Sequence, residues 1–218
     1  TYAKIIYPTV SNGLCEKDDV SVIATNENYG YFTDMQFEKI QNKIRATDLS
    51  SIDALMCLSQ TLQQLLLTAQ IPADLEEAIL AATRELVVDC GETLLACRSS
   101  AVGEDSKSTT FAGQYRSELN IPPEEVCPVW KEVLASKYSL SAMSYRFQPG
   151  IPDDAAPMCV GVLAMVRARA GGVAYSRDPV HATADQMLIN AVAGLPQGVV
   201  DGGVIPDVFR LNRKDVPE

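Results

Sequence analysis

Cys97-Arg98-Ser99-Ser100-Ala101-Val102-Gly103-Glu104-Asp105, followed after four residues by Thr110-Phe111-Ala112-Gly113-Gln114, decides how this chain is read. A strand over Thr93 to Cys97 is expected to deliver Arg98 at its end. The hydroxyls, acids and small residues that follow suit neither a helix nor a core strand. A permanently charged guanidinium fork, beside small residues whose backbone amides can approach an anion, is what phosphate groups require. The competing explanation is a solvated surface loop whose arginine pairs with Glu104 or Asp105. A P-loop is excluded, because Ser106 precedes Lys107 and Ala101 occupies the earlier glycine position, and a dinucleotide fingerprint is missing. The 17 residues from Arg98 to Gln114 are long for a plain connector.

Around this stretch the composition is that of an ordinary globular chain: 218 residues, 47% hydrophobic and 21% charged. Eighteen basic against 28 acidic residues give a formal charge of −10, which repels a phosphate backbone and argues against nucleic acid as a partner. Any phosphate must therefore be met by a local site. The longest apolar run, Cys159 to Val166, falls far short of the ~20 residues of a membrane span, and no secretory pattern opens the chain. A cytoplasmic protein without a membrane partner is expected. The six cysteines are scattered and His181 is the only histidine, so zinc and redox sites lack ligands and buried reduced thiols are expected. His181 itself is read as a surface residue. Because the chain begins at Thr1, it is expected to be a fragment of something longer.

The predicted elements run from helices to strands. Ile5 to Tyr7 and Val20 to Ile23 look like short strands, and a helical pattern follows through Phe32 and Phe37 towards Lys43. Asp48-Leu49-Ser50-Ser51 should cap a helix with Ile52, Leu55, Leu58, Leu62, Leu65 and Leu66 on one face. Pro72 opens another with Leu75, Ile79, Ala82 and Leu86, closed by Gly91. Beyond Arg116 to Ile121, one helix starting at Pro122-Pro123 carries Val126, Val129, Trp130, Val133 and Leu134 inward. Three further strands are expected over Met158 to Arg167, Gly172 to Ser176 and Met187 to Val192. This order predicts an α+β fold: a mainly helical part over 1–92, then a mainly antiparallel, strand-rich part over 93–218 with the loop 98–114 and the strand 158–167.

Several ordered motifs carry a resemblance. Cys97 to Ala101 with Glu104-Asp105, Phe111 to Gln114 and Leu119-Asn120-Ile121 resemble the ATP-binding domain of the phosphoenolpyruvate synthase and pyruvate phosphate dikinase family. Ala135-Ser136-Lys137-Tyr138 with Tyr145-Arg146, Val162 to Val166, Gly172 to Pro179 and Val199 to Asp207 resemble further elements of that family, in its order. The resemblance runs from about Val22 to Arg210.

It implies an ATP-grasp-like lobe in which Arg98 contacts ATP phosphates as the catalytic cation. Thr110, Phe111, Ala112, Gly113 and Gln114 would form the small loop over the phosphates. Leu163, Ala164, Met165 and Val166 would form the hinge, its backbone meeting the adenine edge while Met165 packs on the ring; a plain core role for Met165 and Val166 is the alternative. The implied enzyme moves phosphoryl from ATP to a histidine and on to pyruvate, releasing AMP and phosphate. It uses Mg2+ and works with phosphohistidine and pyruvate-binding domains. Departures accompany the matches. Leu163 stands where the family has glutamine, Gly194-Leu195-Pro196-Gln197 replaces Gly-Leu-Gly-Glu, and the early Gly-Gly-Lys is missing. The elements expected to hold magnesium and the γ-phosphate lie past the end of this chain, so the chain alone is expected not to turn over. A degenerate binding module, or a dikinase with another acceptor such as a glucan, are the alternatives.

Overall fold

The computed structural model describes residues 3–6, 20–24, 32, 34–91, 94–101, 115–148, 150–153, 156, 158–181 and 183–215. The chain divides into two compact units, Thr1–Met165 and Val166–Glu218.

The first unit is built on five antiparallel strands. These are β1 (Ala3–Ile6), β2 (Val20–Ala24), β3 (Leu95–Ala101), β4 (Ser117–Ile121) and β5 (Met158–Ala164), in the order β1-β2-β5-β3-β4. The first two strands thus join the sheet of the later ones. Among the described residues five helices accompany it: α1 (Asp34–Ala46), α2 (Ile52–Thr68), α3 (Ala73–Cys90), α4 (Val126–Ala135) and α5 (Leu140–Phe147). The single helix expected between β4 and β5 is therefore two, α4 and α5, joined by a 3-10 turn over Ser136–Tyr138.

The helix ends follow elementary capping. Ser51 Oγ accepts the Ala54 N–H at 3.3 Å to start α2, and Ser139 Oγ accepts the Ala142 N–H at 3.2 Å to start α5. Gly91 ends α3 with φ 66°, a left-handed conformation that costs glycine little, and its N–H bonds the Val87 carbonyl. Leu55, Leu58, Leu62 and Leu66 of α2 are buried as their spacing predicts, whereas Ile52, in the first turn, is 72% exposed. On α3, Thr83 is buried with Leu75, Ile79 and Leu86, and its hydroxyl donates to the Ile79 carbonyl at 2.8 Å. These faces meet Trp130, Val133 and Leu134 of α4, and all pack against Leu95 and Cys97 of β3 and Val160 and Val162 of β5. Phe32 lies edge-on to Trp130, ring centroids 6.0 Å apart.

A buried polar centre ties the helices to the segment that feeds β5. Asp153 Oδ2 accepts from Tyr138 Oη at 2.9 Å and Gln41 Nε2 at 3.0 Å. Its Oδ1 lies 3.4 Å from both Lys137 Nζ and Arg146 Nη2. Lys137 Nζ also donates to the Asp153 carbonyl, and Arg146 Nη1 to the Lys137 carbonyl at 2.7 Å. From α2, Ser59 Oγ donates to the Tyr138 carbonyl at 2.7 Å. Lys137, Arg146 and Asp153 are all buried.

The second unit is a three-stranded antiparallel sheet, β6 (Ala170–Tyr175), β7 (Gln186–Ala193) and β8 (Asp207–Asn212), with a short helix α6 (Gln197–Val200). β8 and α6 are additions to the elements that the sequence pattern predicts. At Gly172 a β-carbon would lie 2.2 Å from the Asn190 carbonyl oxygen, and at Gly171 within 3 Å of Pro196 and the Gly194 carbonyl. The pair is required by close backbone packing.

Replacing Asp153 by alanine removes the carboxylate from between two buried cations. It should cost about 3–5 kcal/mol, read as a fall in the urea midpoint with an unchanged m-value.

Candidate functional site

Register divides the five-stranded sheet into two faces. Directly paired residues share a face, so Leu95, Cys97, Val160 and Val162 line the side packed by the helices. Arg98 and Ser100 project from the other side and are exposed. Beside them on β5, Gly161 pairs with Arg98, Cys159 with Ser100, and Leu163 with Ala96. On β4, Ser117 pairs with Arg98.

The strand does not stop at Cys97, as its sequence predicts, but continues to Ala101, so Arg98 lies inside β3 rather than at its end. Both neighbouring strands hold its backbone, which aims the side chain more firmly than a loop would. No described carboxylate pairs with Arg98. Thr110, Phe111, Ala112, Gly113 and Gln114, together with Glu104 and Asp105, lie outside the described residues.

The expected strand over 158–167 is shorter than predicted. Leu163 and Ala164 close β5, paired with Ala96 and Leu95, and are half-buried. Met165 is half-buried and Val166 is 77% exposed, which sets the core alternative aside for Val166 but not for Met165. The Met165 N–H is committed to the Leu94 carbonyl at 3.0 Å, so that amide cannot serve a ligand. The division between the two compact units falls between Met165 and Val166.

Two residues beyond Gln114, Arg116 is anchored three ways. Its N–H donates to Ser136 Oγ at 3.1 Å, its Nη2 lies 2.9 Å from Glu132 Oε2, and its Nε bonds Glu118. Ser136 Oγ in turn donates to the Val133 carbonyl at 2.6 Å. The Ala135-Ser136-Lys137-Tyr138 string thus ties the start of β4 to α4 and to the Asp153 centre.

Asp178, in the Gly172–Pro179 motif, is a turn-forming residue. It is 1% exposed, and its Oδ1 accepts the N–H groups of Val180 at 2.8 Å and His181 at 3.1 Å. Its Oδ2 meets His181 Nδ1 at 3.3 Å and Arg210 Nε at 3.4 Å, joining the turn to β8. The Val180 N–H above all, then those of His181 and the Arg210 guanidinium, hold its carboxyl down to about 2 against the raising effect of burial. His181 is exposed. Of the cysteines, Cys97 and Cys127 are buried, and burial pushes the Cys97 thiol up to about 12, so it is unreactive. Cys57 is exposed, contrary to the expectation of burial. Among the described residues, no three His, Cys, Asp or Glu side chains come together to hold a metal ion. No described helix is long and apolar enough to cross a membrane.

An antiparallel sheet with helices over one face, and Arg98 on the other with no carboxylate paired to it among the described residues, defines an α+β domain. The chain belongs to the pyruvate phosphate dikinase AMP/ATP-binding domain family, whose model matches residues 19–217. It is 34% identical over 180 residues to a probable phosphoenolpyruvate synthase of Methanocaldococcus jannaschii, covering 81% of this chain and 15% of that relative. A phosphoenolpyruvate synthase of Deinococcus radiodurans is 36% identical over 175 residues, with 79% of this chain and 22% of the relative covered. A rifampicin phosphotransferase of Streptomyces sviceus is 33% identical over 165 residues, with 75% of this chain and 19% of the relative covered. The chain thus spans less than a quarter of the length of each.

Asp178 has a folded-state pKa below its ordinary value, so its contribution is complete above about pH 4 and is lost as pH falls from there towards about 2. Urea unfolding followed across that window should show an acid limb that is weakened in Asp178→Asn, whose amide oxygen keeps the turn but does not titrate.

Proposed function

We propose that this chain is the nucleotide lobe of a phosphoenolpyruvate-synthase-like dikinase, with Arg98 as its phosphate-contacting cation. The observation that carries this is the exposed position of Arg98 on the face of the sheet away from the helices, with no described carboxylate beside it, in a chain of the AMP/ATP-binding family. When ATP is bound, the phosphoryl group in transfer spreads negative charge over its oxygens. A guanidinium held by two strands stabilises that charge without reorganising. Thr110, Phe111, Ala112, Gly113 and Gln114 would add backbone donors over the phosphates. Leu163 to Val166 would border the base: Leu163 offers apolar contact and no amide, and the Val166 N–H replaces the committed Met165 N–H as the hinge donor.

For the intact protein we propose transfer of phosphoryl from ATP to a histidine and then to pyruvate, giving phosphoenolpyruvate, AMP and phosphate. The proposal includes phosphohistidine and pyruvate-binding domains as partners and a cytoplasmic location. The described residues do not assemble a carboxylate set for Mg2+. A second reading, favoured by the similarity to a rifampicin phosphotransferase, keeps the same lobe and changes the acceptor.

Titration with Mg-ATP should stabilise the chain by about 2.7 kcal/mol at a hundredfold excess over Kd. Arg98→Ala should weaken Mg-ATP about tenfold or more while leaving adenosine binding and the ligand-free melting temperature unchanged. Equal loss for adenosine would sink the phosphate role, and AMP formation from ATP and pyruvate by the isolated chain would contradict its being only one lobe.

A further inference from the structure

Resting on the role proposed for Arg98, we propose that a bulge in β4 is a register device that keeps a carboxylate from neutralising that arginine, with Asn120 and Ser117 as positioning residues. Leu95 pairs with Ile121, yet Cys97 pairs with Glu118 and Arg98 with Ser117. Between these pairs β4 therefore carries one residue more than β3. Asn120 lies in the extra stretch with φ 58°, a left-handed conformation that asparagine tolerates and β-branched residues resist.

Regular continuation of the ladder from Leu95 and Ile121 would set Glu118 opposite Arg98. Residues directly opposite in an antiparallel pair share a face, with β-carbons about 4.5–5.5 Å apart, within reach of an ion pair. The guanidinium would then be engaged before any phosphate arrived. The bulge instead turns Glu118 to the face of Cys97, where Arg116 holds it, and leaves the small, neutral Ser117 across from Arg98. The Arg116 N–H, fixed on Ser136 Oγ at the adjoining residue, guards the same register from the other end. Bulges beside functional sites commonly re-aim a side chain; here the bulge selects which residue faces one.

The test places a carboxylate where the bulge forbids it. Ser117 is exposed, so Ser117→Glu should leave the ligand-free melting temperature nearly unchanged while weakening Mg-ATP about tenfold or more. Ser117→Gln, of similar size and no charge, should stay within about threefold of the parent. Asn120→Val should also weaken Mg-ATP, Asn120→Gly should not, and adding Glu118→Gln to Asn120→Val should restore affinity. Unchanged Mg-ATP affinity in Ser117→Glu overturns the register proposal while leaving the role of Arg98 standing. No response of the parent chain to Mg-ATP overturns both.

Discussion

One buried carboxylate joins three helical segments of the larger unit. Asp153 is approached by two cations and two neutral donors that come from α1, the α4–α5 corner and α5. Taking three charges out of water is costly, and the mutual attraction offsets that only when each group has a fixed partner. Such a centre tolerates few alternative arrangements. It sets where the chain must pass before Met158, and hence where β5 enters the sheet between β2 and β3. An oily contact at the same place would stabilise the fold without fixing that entry point.

The parts of the fold legible in sequence are those with a repeating pattern. The leucines of α2 and the apolar positions of α3 and α4 are set by the helical period, and burial follows them closely. Ile52 escapes because the first turn of a helix can extend past the core it serves. The Asp153 centre is illegible for the opposite reason: Lys137, Arg146, Asp153 and the distant Gln41 follow no period, and each alone reads as a solvated residue. β8 went unread because its outward residues give no buried stripe to detect. The extension of β3 past Arg98 was hidden by Ser99 and Ser100, which look like loop residues until a neighbouring strand pairs with them.

Most of the strings that carry the family resemblance turn out to hold backbone. Ser136 fixes the start of β4, Gly172 permits a close strand approach, Asp178 closes a turn and Asn120 permits a bulge. Arg98 differs from these in pointing away from its own fold. The strings thus carry the family, whereas which of their side chains leave the scaffold is written only in the register of the sheet.

The two compact units are joined through Met165 and Val166, immediately after β5, and β5 is the middle strand of five. Any mechanical load passed from one unit to the other therefore enters the sheet along a strand gripped on both edges. Pulling it out means shearing two ladders of hydrogen bonds at once, not unzipping one from the rim. A pull applied at this junction therefore loads both ladders of β5, which an edge-strand attachment would not do.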